Sequence, residues 1–274
     1  MSAIQNQKAA RFRALHDGPG AFVIPNPWDI GSARILAGLG FQALATSSAA
    51  SACALGRRDG GLTREEALAH ARLIVDATDL PVSADLEKGF GDAPEAVAET
   101  IRLAAEVGLV GCTIEDATRN QEAPLYDLSL AVERIAAAAQ AARALPFSFM
   151  LTARAHNFLY AAPSLDETIS RLQAFEQAGA DVLFAPGLPA LASVRAVCAS
   201  VSKPFNFMAG IKGKSFSVGA LAAAGVRRIS LATALYRAAM TGLLDAAREV
   251  KDTGQFGFID RSVTTPELNN LMET

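Results

Sequence analysis

The sequence of 274 residues has few cysteines and lacks any long apolar or basic run. Its cysteines, Cys53, Cys112 and Cys198, follow no regular spacing, which excludes a disulfide framework and a cysteine-based zinc motif. No apolar stretch approaches the roughly 20 residues that span a bilayer, so we expect no association with membranes. The polar, basic N-terminus does not resemble a signal peptide. These absences favour a cytoplasmic protein in a reducing compartment.

An excess of charge of one sign is also lacking, because 25 Lys and Arg residues nearly balance 28 Asp and Glu residues. The net charge of −3 and the absence of a basic run argue against a nucleic-acid partner. No G-x-G-x-x-G motif follows the first apolar run, so the usual fingerprint of dinucleotide binding is missing. A small anionic substrate would have to be captured by local positive charge.

Short apolar runs alternate with longer alanine-rich amphipathic segments, and 51% of the residues are hydrophobic. Strands that are buried on both faces read as continuous apolar runs, and such runs separated by helices indicate parallel βαβ units. The predicted strands are Ala21–Pro25, Gln42–Thr46, Pro81–Asp85, Val110–Glu115, Phe147–Ala153, Asp181–Ala185, Pro204–Met208 and Arg228–Leu231. The predicted helices are Ile30–Leu39, Arg64–Ala77, Pro94–Val107, Leu128–Ala144, Leu165–Ala178, Leu188–Ala199, Val218–Ala223 and Ala234–Lys251.

Several predicted helices end in a small Ala-Gly-x hinge, as at Ala178-Gly179-Ala180 and Ala224-Gly225-Val226. Glycine suits the left-handed position just beyond a helix end. Eight repeated units favour an α/β fold of the closed (β/α)8 barrel type, with an open doubly wound sheet as the competing fold. We expect one barrel domain over residues 1–274, in which residues 252–274 form a tail with a short helix at Pro266–Met272.

Acidic side chains follow three predicted strands, and an arginine follows a fourth, at the end where a barrel carries its reactive groups. Asp85 and Glu87 stand two residues apart and would face the same side of an extended chain. Glu115 ends the fourth strand, and Arg154 follows the fifth. Other polar residues expected near this end are Ser47, Ser48 and Asp59.

A cluster of carboxylates is costly to bury unless a positive charge compensates it. A hard divalent cation does so, and Mg²⁺ is usually held by one or two carboxylates together with waters and the substrate. We therefore predict a Mg²⁺ site, with Mn²⁺ as the alternative ion.

Each candidate also has a purely structural interpretation. The carboxylates would then be ordinary turn or cap residues, and Arg154 would form an ion pair with Glu115 or Asp116. A serine such as Ser47 would cap a helix. His156 is left open between a supporting and a catalytic role.

Five motifs occur in an order and spacing that resemble the isocitrate lyase/phosphoenolpyruvate mutase superfamily. They are N-P-W-D-I-G-S-A-R (Asn26–Arg34), T-S-S (Thr46–Ser48), D-L-E-K-G-F-G (Asp85–Gly91), T-I-E-D (Thr113–Asp116) and L-T-A-R-A-H-N-F-L (Leu151–Leu159). Segments Ala178–Leu188 and Ile229–Ala238 extend the similarity over most of the chain. Together the motifs are specific for the superfamily, but not for one reaction within it.

The resemblance implies a (β/α)8 barrel whose last helix is exchanged between the subunits of a homodimer or homotetramer. It implies that Asp85 binds Mg²⁺ directly. The residues at positions that bind the ion mostly through water are Asp59, Glu87 and Glu115.

The same resemblance implies the substrate contacts. Ser47 and Ser48 match a turn that holds the substrate carboxylate, and Arg154 matches an arginine that contacts the anionic end of the substrate. Asn206 on the seventh strand matches a polar contact of the lyases. We assign catalytic roles to Ser47, Glu115 and Arg154.

Two segments depart from the pattern of the superfamily. Isocitrate and methylisocitrate lyases carry a K-[KR]-C-G-H-type loop with a proton-donating cysteine, whereas residues 117–127 here contain neither Cys nor His. Asn120 in this loop is the candidate match to the gating-loop asparagine of the mutases. After the sixth strand, lyases offer a glutamate and phosphonate-handling members a histidine, but this chain has Phe184-Ala185-Pro186-Gly187. These departures disfavour a standard isocitrate lyase.

Three functions are therefore compared. The first is a Mg²⁺-dependent carbon–carbon lyase or decarboxylase that acts on an oxaloacetate- or methylisocitrate-like acid through a pyruvate enolate. The second is a phosphonopyruvate-type mutase or hydrolase that acts on a P–C bond at the same metal site. The third is a barrel that binds 2-oxo acids without turning them over. The missing cysteine slightly favours decarboxylation, which needs only a proton from water.

Overall fold

The computed structural model describes residues 3–160 and 164–272, and these contain eight parallel strands. The strands are β1 Phe22–Ile24, β2 Leu44–Ala45, β3 Val82–Asp85, β4 Gly111–Glu115, β5 Met150–Arg154, β6 Val182–Phe184, β7 Phe205–Met208 and β8 Arg228–Ser230. They are ordered β1-β8-β7-β6-β5-β4-β3-β2 in one sheet. All eight predicted strands are confirmed, and most begin slightly later in the chain than predicted.

The sheet closes into a barrel. β1 pairs with β8, so that Phe22 is opposite Arg228. At the other edge, the backbone N–H of Ala45 donates to the carbonyl of Pro25 at 3.0 Å, which joins the ends of β1 and β2. This closure confirms the (β/α)8 barrel and rules out the open doubly wound sheet.

Helices alternate with the strands around the barrel. They are α1 Ala3–Asp17, α2 Ile30–Gly38, α3 Ser48–Ala54, α4 Arg64–Ala77, α5 Pro94–Glu106, α6 Leu128–Arg143, α7 Asn157–Tyr160, α8 Leu165–Gln177, α9 Leu191–Ser200, α10 Val218–Ala223, α11 Ala234–Thr253 and α12 Thr265–Met272. The eight predicted helices are confirmed. The sequence analysis does not identify α1, α3 or α7, and the last two are only 7 and 4 residues long.

Helix α1 crosses the N-terminal end of the barrel and closes it. The rings of Phe12 and His16 are buried and meet edge to face with centroids 4.8 Å apart, and His16 contacts Phe22 in the same way at 4.9 Å. Phe12 lies against Gly111, where a Cβ atom would come within 3.1 Å of the ring. Arg13 forms an ion pair of 3.2 Å with Asp181, before β6. The barrel therefore opens at its C-terminal end.

Small residues allow the helices to pack closely on the barrel. Buried alanines of α6 such as Ala138 and Ala139 face the core, and α5 packs along α6. The predicted hinge at Gly179 has a φ of 105°, a conformation that side chains with a Cβ atom rarely adopt. The Ala-Gly-x pattern therefore marks helix ends, as predicted.

Helix α11 extends from the barrel with little burial, whereas the last helix contacts the barrel again. Helix α11 contains no buried residue, and it leaves Leu243 and Leu244 59% and 50% exposed. The predicted tail helix is confirmed as α12, which packs on α2. No helix in residues 3–160 and 164–272 combines the length and the apolar character needed to cross a bilayer.

Candidate active site

The ends of β3, β4 and β5 bring three charged side chains together at the open end of the barrel. Asp85, Glu115 and Arg154 are the last residues of these strands, and Glu115 is opposite Arg154 in the register. Arg154 Nη1 lies 3.2 Å from Glu115 Oε2 and 3.8 Å from Asp85 Oδ2. The three residues therefore converge as expected, and Arg154 also forms the ion pair with Glu115 that the structural interpretation offered.

Glu87 reaches this cluster by a different backbone path from the one predicted. Strand β3 ends at Asp85, and Glu87 has a φ of 52°, which is in the left-handed region. The prediction that Asp85 and Glu87 share one side of an extended chain is therefore wrong. The backbone N–H of Glu87 donates to Asp85 Oδ1 at 3.2 Å, which holds the turn in place. Backbone strain of this kind concentrates at functional sites.

Arg119, from the loop after β4, lies among the remaining carboxylates. Its Nη2 atom is 3.1 Å from Glu87 Oε2, 3.8 Å from Asp59 Oδ1 and 4.0 Å from Glu115 Oε1. The loop is held in a hairpin-like form by an isolated bridge between Ala117 and Leu125. No sequence motif marks Arg119 as a site residue, because its position depends on the path of this loop.

Burial and neighbouring charges shift the pKa values of the cluster in opposite directions. Burial raises the pKa of Glu87 to about 7; Arg119 opposes the shift, and the nearby acidic side chains add to it. Burial would also raise the pKa of Glu115, but the charge of Arg154, followed by His156 and Arg119, lowers it to about 2. Glu115 is therefore ionised at neutral pH, and Glu87 lacks full compensation by positive charge.

The serine turn lies at the start of α3, beside the cluster. The hydroxyl of Ser48 donates to Asp85 Oδ2 at 2.9 Å, and the backbone N–H of Ser48 approaches the same oxygen at 3.3 Å. Ser47 accepts the backbone N–H of Ala50 at 3.5 Å as the N-cap of α3. The capping interpretation of Ser47 is therefore confirmed, and its contact with a substrate stays a prediction.

His156 contacts two residues of the cluster. Its Nδ1 atom lies 3.2 Å from Glu115 Oε2, and its Nε2 atom lies 3.3 Å from Arg154 Nη2. Its backbone N–H donates to Asp116 Oδ1 at 2.8 Å, and Asp116 is paired with Arg171 at 3.2 Å. The second carboxylate of the T-I-E-D motif thus positions the loop that carries His156 and takes no part in the acidic cluster.

A cavity of about 50 Å³ lies below the cluster, and Asp85, Arg154 and Asn206 contribute to its wall. Asn206 is fully buried, accepts a hydrogen bond from Arg228 Nε at 2.8 Å and donates to Ser230 Oγ at 3.1 Å. In the segment that departs from the superfamily pattern around the end of β6, Phe184 places its ring 5.1 Å from the Arg154 guanidinium. A cation–π contact therefore supports Arg154 on this side.

Arg228 is a second residue that the sequence analysis missed as a site candidate. It was included only as the first residue of a predicted strand. Alternate residues of a strand point to opposite faces, and Arg228, the first residue of β8, faces the barrel interior. The side chain of Arg228 is indeed buried and lines the cavity.

The acidic cluster fits a hard divalent cation in the chemistry of its donors, which are carboxylate oxygens. Glu115 Oε1 is buried and accepts no hydrogen bond from the described residues. In the described part of the chain, no three acidic, histidine or cysteine side chains are close enough to form a complete metal site. The guanidinium of Arg119 lies among these carboxylates instead, so a cation would have to displace it.

The chain is similar to proteins of one family over most of its length. The profile of the phosphoenolpyruvate phosphomutase family matches residues 12–251. A provisionally assigned lyase/mutase from Burkholderia cenocepacia J2315 has a crystal structure with a TM-score of 0.97 and 51% identity, and the match covers 100% of this chain and 98% of that one. A probable 2-methylisocitrate lyase from Corynebacterium glutamicum is 28% identical over 97% of this chain and 88% of its own length. An oxaloacetate decarboxylase from Marinomonas sp. is 28% identical over 96% of this chain and 91% of its own length.

Proposed function

Because the chain belongs to the phosphoenolpyruvate phosphomutase family, we propose that it is a lyase that cleaves a carbon–carbon bond in a small 2-oxo or 2-hydroxy carboxylic acid. The observation that carries the proposal is the convergence of Asp85, Glu115 and Arg154 at the open end of the barrel. Relatives named as a methylisocitrate lyase and an oxaloacetate decarboxylase support C–C chemistry and suggest an oxaloacetate- or methylisocitrate-like substrate.

A divalent cation, Mg²⁺ or Mn²⁺, completes the proposed site. Asp85 would hold it directly, and Glu87, Glu115 and Asp59 would hold it mostly through water. When bound, such an ion acts as a Lewis acid that stabilises negative charge on the substrate oxygens. The acidic cluster supports this role, since it concentrates carboxylate oxygens around a position that needs positive charge.

The side chains around the cluster bind and orient the substrate. The backbone N–H groups and hydroxyls of Ser47 and Ser48 would hold its carboxylate at the start of α3. Arg154 presents a planar guanidinium that can bind an anionic group through two hydrogen bonds, and Glu115 and Phe184 fix its orientation. His156 contacts both Arg154 and Glu115, so it holds the pair in register.

Decarboxylation or a simple retro-aldol cleavage suits this site better than isocitrate-type cleavage. Residues 117–127 contain no Cys or His that would deliver a proton to the enolate carbon. Loss of CO₂ leaves a pyruvate enolate, which can take its proton from water. Arg119, which this loop contributes, remains charged because burial, which lowers its pKa, is outweighed by Glu87 and the other nearby carboxylates. It can therefore hold an anion but cannot donate the proton.

A P–C bond mutase or hydrolase is the second candidate, and the name of the family and the lyase/mutase neighbour favour it. A barrel that only binds 2-oxo acids is the third, but such a protein would have no need for the acidic cluster.

The exposed apolar residues of α11 support a further part of the proposal, that the protein works as a homodimer or homotetramer with this helix exchanged between subunits. Its three free cysteines suit the cytoplasm.

The experiment is a turnover assay with Mg²⁺ and a panel of 2-oxo and 2-hydroxy acids, including oxaloacetate and phosphonopyruvate. We expect release of CO₂ or a second acid, with pyruvate as product. Release of phosphate would select the second candidate, and stabilisation by ligands without any product would select the third.

The variant Asp85→Ala tests the cation assignment in the same assay. Activity should fall at least a hundredfold, and the affinity for Mg²⁺ measured by calorimetry should fall with it. Asp76→Ala is the control, because its exposed pair with Arg72 lies on α4, away from the cluster. Near-normal turnover of Asp85→Ala would refute the assignment.

A further inference from the structure

Arg228 carries a buried positive charge in the barrel without a matching negative charge. Only 4% of its surface is exposed, and its Nη1 atom has no hydrogen-bond partner among the described residues. Its Nε atom donates to the neutral amide oxygen of Asn206 at 2.8 Å. In residues 3–160 and 164–272, no carboxylate oxygen lies within 4.0 Å of the Arg228 guanidinium, the distance at which the two would form an ion pair.

The groups around Arg228 do not supply the missing charge. Burial lowers the pKa of Arg228 only to about 10, so it stays protonated at neutral pH. Burial raises the pKa of the Cys112 thiol, which is therefore neutral. Burial, together with the charge of Arg228, lowers the pKa of His16 to about 3, so this imidazole is neutral as well. An isolated buried charge is costly, and a bound anion would offset that cost.

The position of Arg228 connects it to the candidate active site. Arg228 and Asn206 line the same cavity of about 50 Å³ as Asp85 and Arg154. This volume accommodates only a few water-sized groups, which suits a carboxylate. The planar guanidinium of an arginine matches a carboxylate through paired hydrogen bonds. The cavity therefore offers a small anion a path from the metal-binding carboxylates down to Arg228.

We propose that Arg228, oriented by Asn206, binds the far carboxylate of the substrate inside the barrel, so that the enzyme selects dicarboxylic acids. This inference rests on the proposed function and adds to it a site that determines specificity. The shared chemistry is that of a small, singly charged anion, which a free ion such as formate or bromide also supplies.

The main test compares dissociation constants, measured by calorimetry with Mg²⁺, for acids that differ by one carboxylate: lactate with malate, and 2-oxobutyrate with 2-oxoglutarate. We expect the dicarboxylate to bind at least tenfold more tightly in one of the two pairs. In Arg228→Met the difference should fall below threefold, while the monocarboxylates keep their affinity within twofold. Arg227→Met is the control, because its guanidinium donates to the carbonyls of Gly18 and Gly20. An unchanged preference in Arg228→Met would overturn the proposal.

A second variant supplies the missing charge from the protein itself. Asn206→Asp places a carboxylate beside Arg228, so the ligand-free protein should melt at a higher temperature and lose its preference for dicarboxylates. This variant keeps the test decisive if Arg228→Met does not fold. A preference that survives in Asn206→Asp would overturn the proposal.

Two experiments test whether free anions bind at Arg228. Thermal unfolding compares formate with uncharged formamide, and crystals that contain bromide show where this ion binds. Bromide bound at Arg228 in a wild-type protein that shows no preference for dicarboxylates would overturn the assignment to the substrate. The turnover assay is separate. An inactive protein that prefers dicarboxylates through Arg228 would refute the proposed function alone, and an active protein without that preference would refute this inference alone.

Discussion

Arg119 Nη2 lies 3.1 Å from Glu87 Oε2, so a guanidinium from the loop after β4 meets the carboxylate of the turn after β3. The two groups belong to different loops at the C-terminal end of the barrel. Since a divalent cation would need the same carboxylates, the contact links cation binding to the position of residues 117–127.

Removing the Arg119 guanidinium should therefore strengthen cation binding. In Arg119→Met we expect the dissociation constant for Mn²⁺, measured by calorimetry, to fall about three- to tenfold, because the guanidinium no longer competes with the cation for the carboxylates. A tenfold change corresponds to about 1.4 kcal/mol. Arg102→Met, which removes an exposed arginine paired with Glu99, is the matched control and should bind Mn²⁺ as the wild type does. Weaker binding in Arg119→Met would show that Arg119 helps to build the cation site.

Replacing Arg154 by lysine keeps the charge but removes the planar fork. A charge-assisted hydrogen bond contributes about 1.5–3 kcal/mol, so kcat/KM for the best substrate should fall roughly 10- to 100-fold, with a higher KM and a lower kcat. Steady-state kinetics of Arg154→Lys measure both constants, and Arg143→Lys on the outer surface of α6 serves as the control. If neither constant changes in Arg154→Lys, the role of Arg154 is limited to its ion pair with Glu115.

The buried His16 should make the fold sensitive to mild acid. Its pKa is lowered to about 3 by burial and by Arg228, whereas the unfolded chain titrates near 6.5. Between these two pKa values the unfolded state therefore binds more protons than the folded state. The stability that neutral His16 contributes is complete above pH 6.5 and is lost as the pH falls below 6.5. Through His16 alone, the free energy of unfolding should be about 1.4 kcal/mol lower at about pH 5.5 than at about pH 7.5.

Denaturant unfolding of the wild type and of His16→Gln at pH 5.5 and 7.5 measures this contribution, because the other titrating groups are common to both proteins. The wild type should lose more stability on acidification than the variant. An equal loss in the two proteins would mean that His16 is not the group responsible.

The exposed apolar face of α11 predicts association of subunits. In the double variant Leu243→Glu and Leu244→Glu, two charges replace side chains that are about half exposed in the single chain. We expect sedimentation to show a dimer or tetramer for the wild type and a smaller species for this variant. Leu73→Glu, at a similarly exposed leucine of α4, should leave the assembly unchanged. A monomeric wild type would contradict the proposed exchange of this helix.

The fold could be predicted from the sequence because its main signals are local. Strands buried on both faces leave apolar runs, and glycine hinges such as Gly179 mark the helix ends. Helix α1 gave a weaker signal, since three of its five buried positions, Gln5, Lys8 and His16, carry polar side chains. Only its packing under the barrel, through Phe12 and His16, shows why it is helical.

The candidate site was predictable only in part. Asp85, Glu115 and Arg154 follow from their places at strand ends, which the barrel brings together. Glu87 reaches the cluster through a left-handed turn that no spacing rule anticipates, and Arg119 depends on the path of a long loop. Arg228 stands at the start of a strand, where the sequence does not say which face its side chain takes.

The rings of Phe12 and His16 seal the floor of the barrel. The candidate active site is therefore closed at its base, so substrate and products must enter and leave at the C-terminal end of the barrel. After a bond of the substrate is cleaved, the product nearer the opening must dissociate before the product bound more deeply. The order of product release is thus set by the architecture, and the fragment left behind longest should be the stronger product inhibitor.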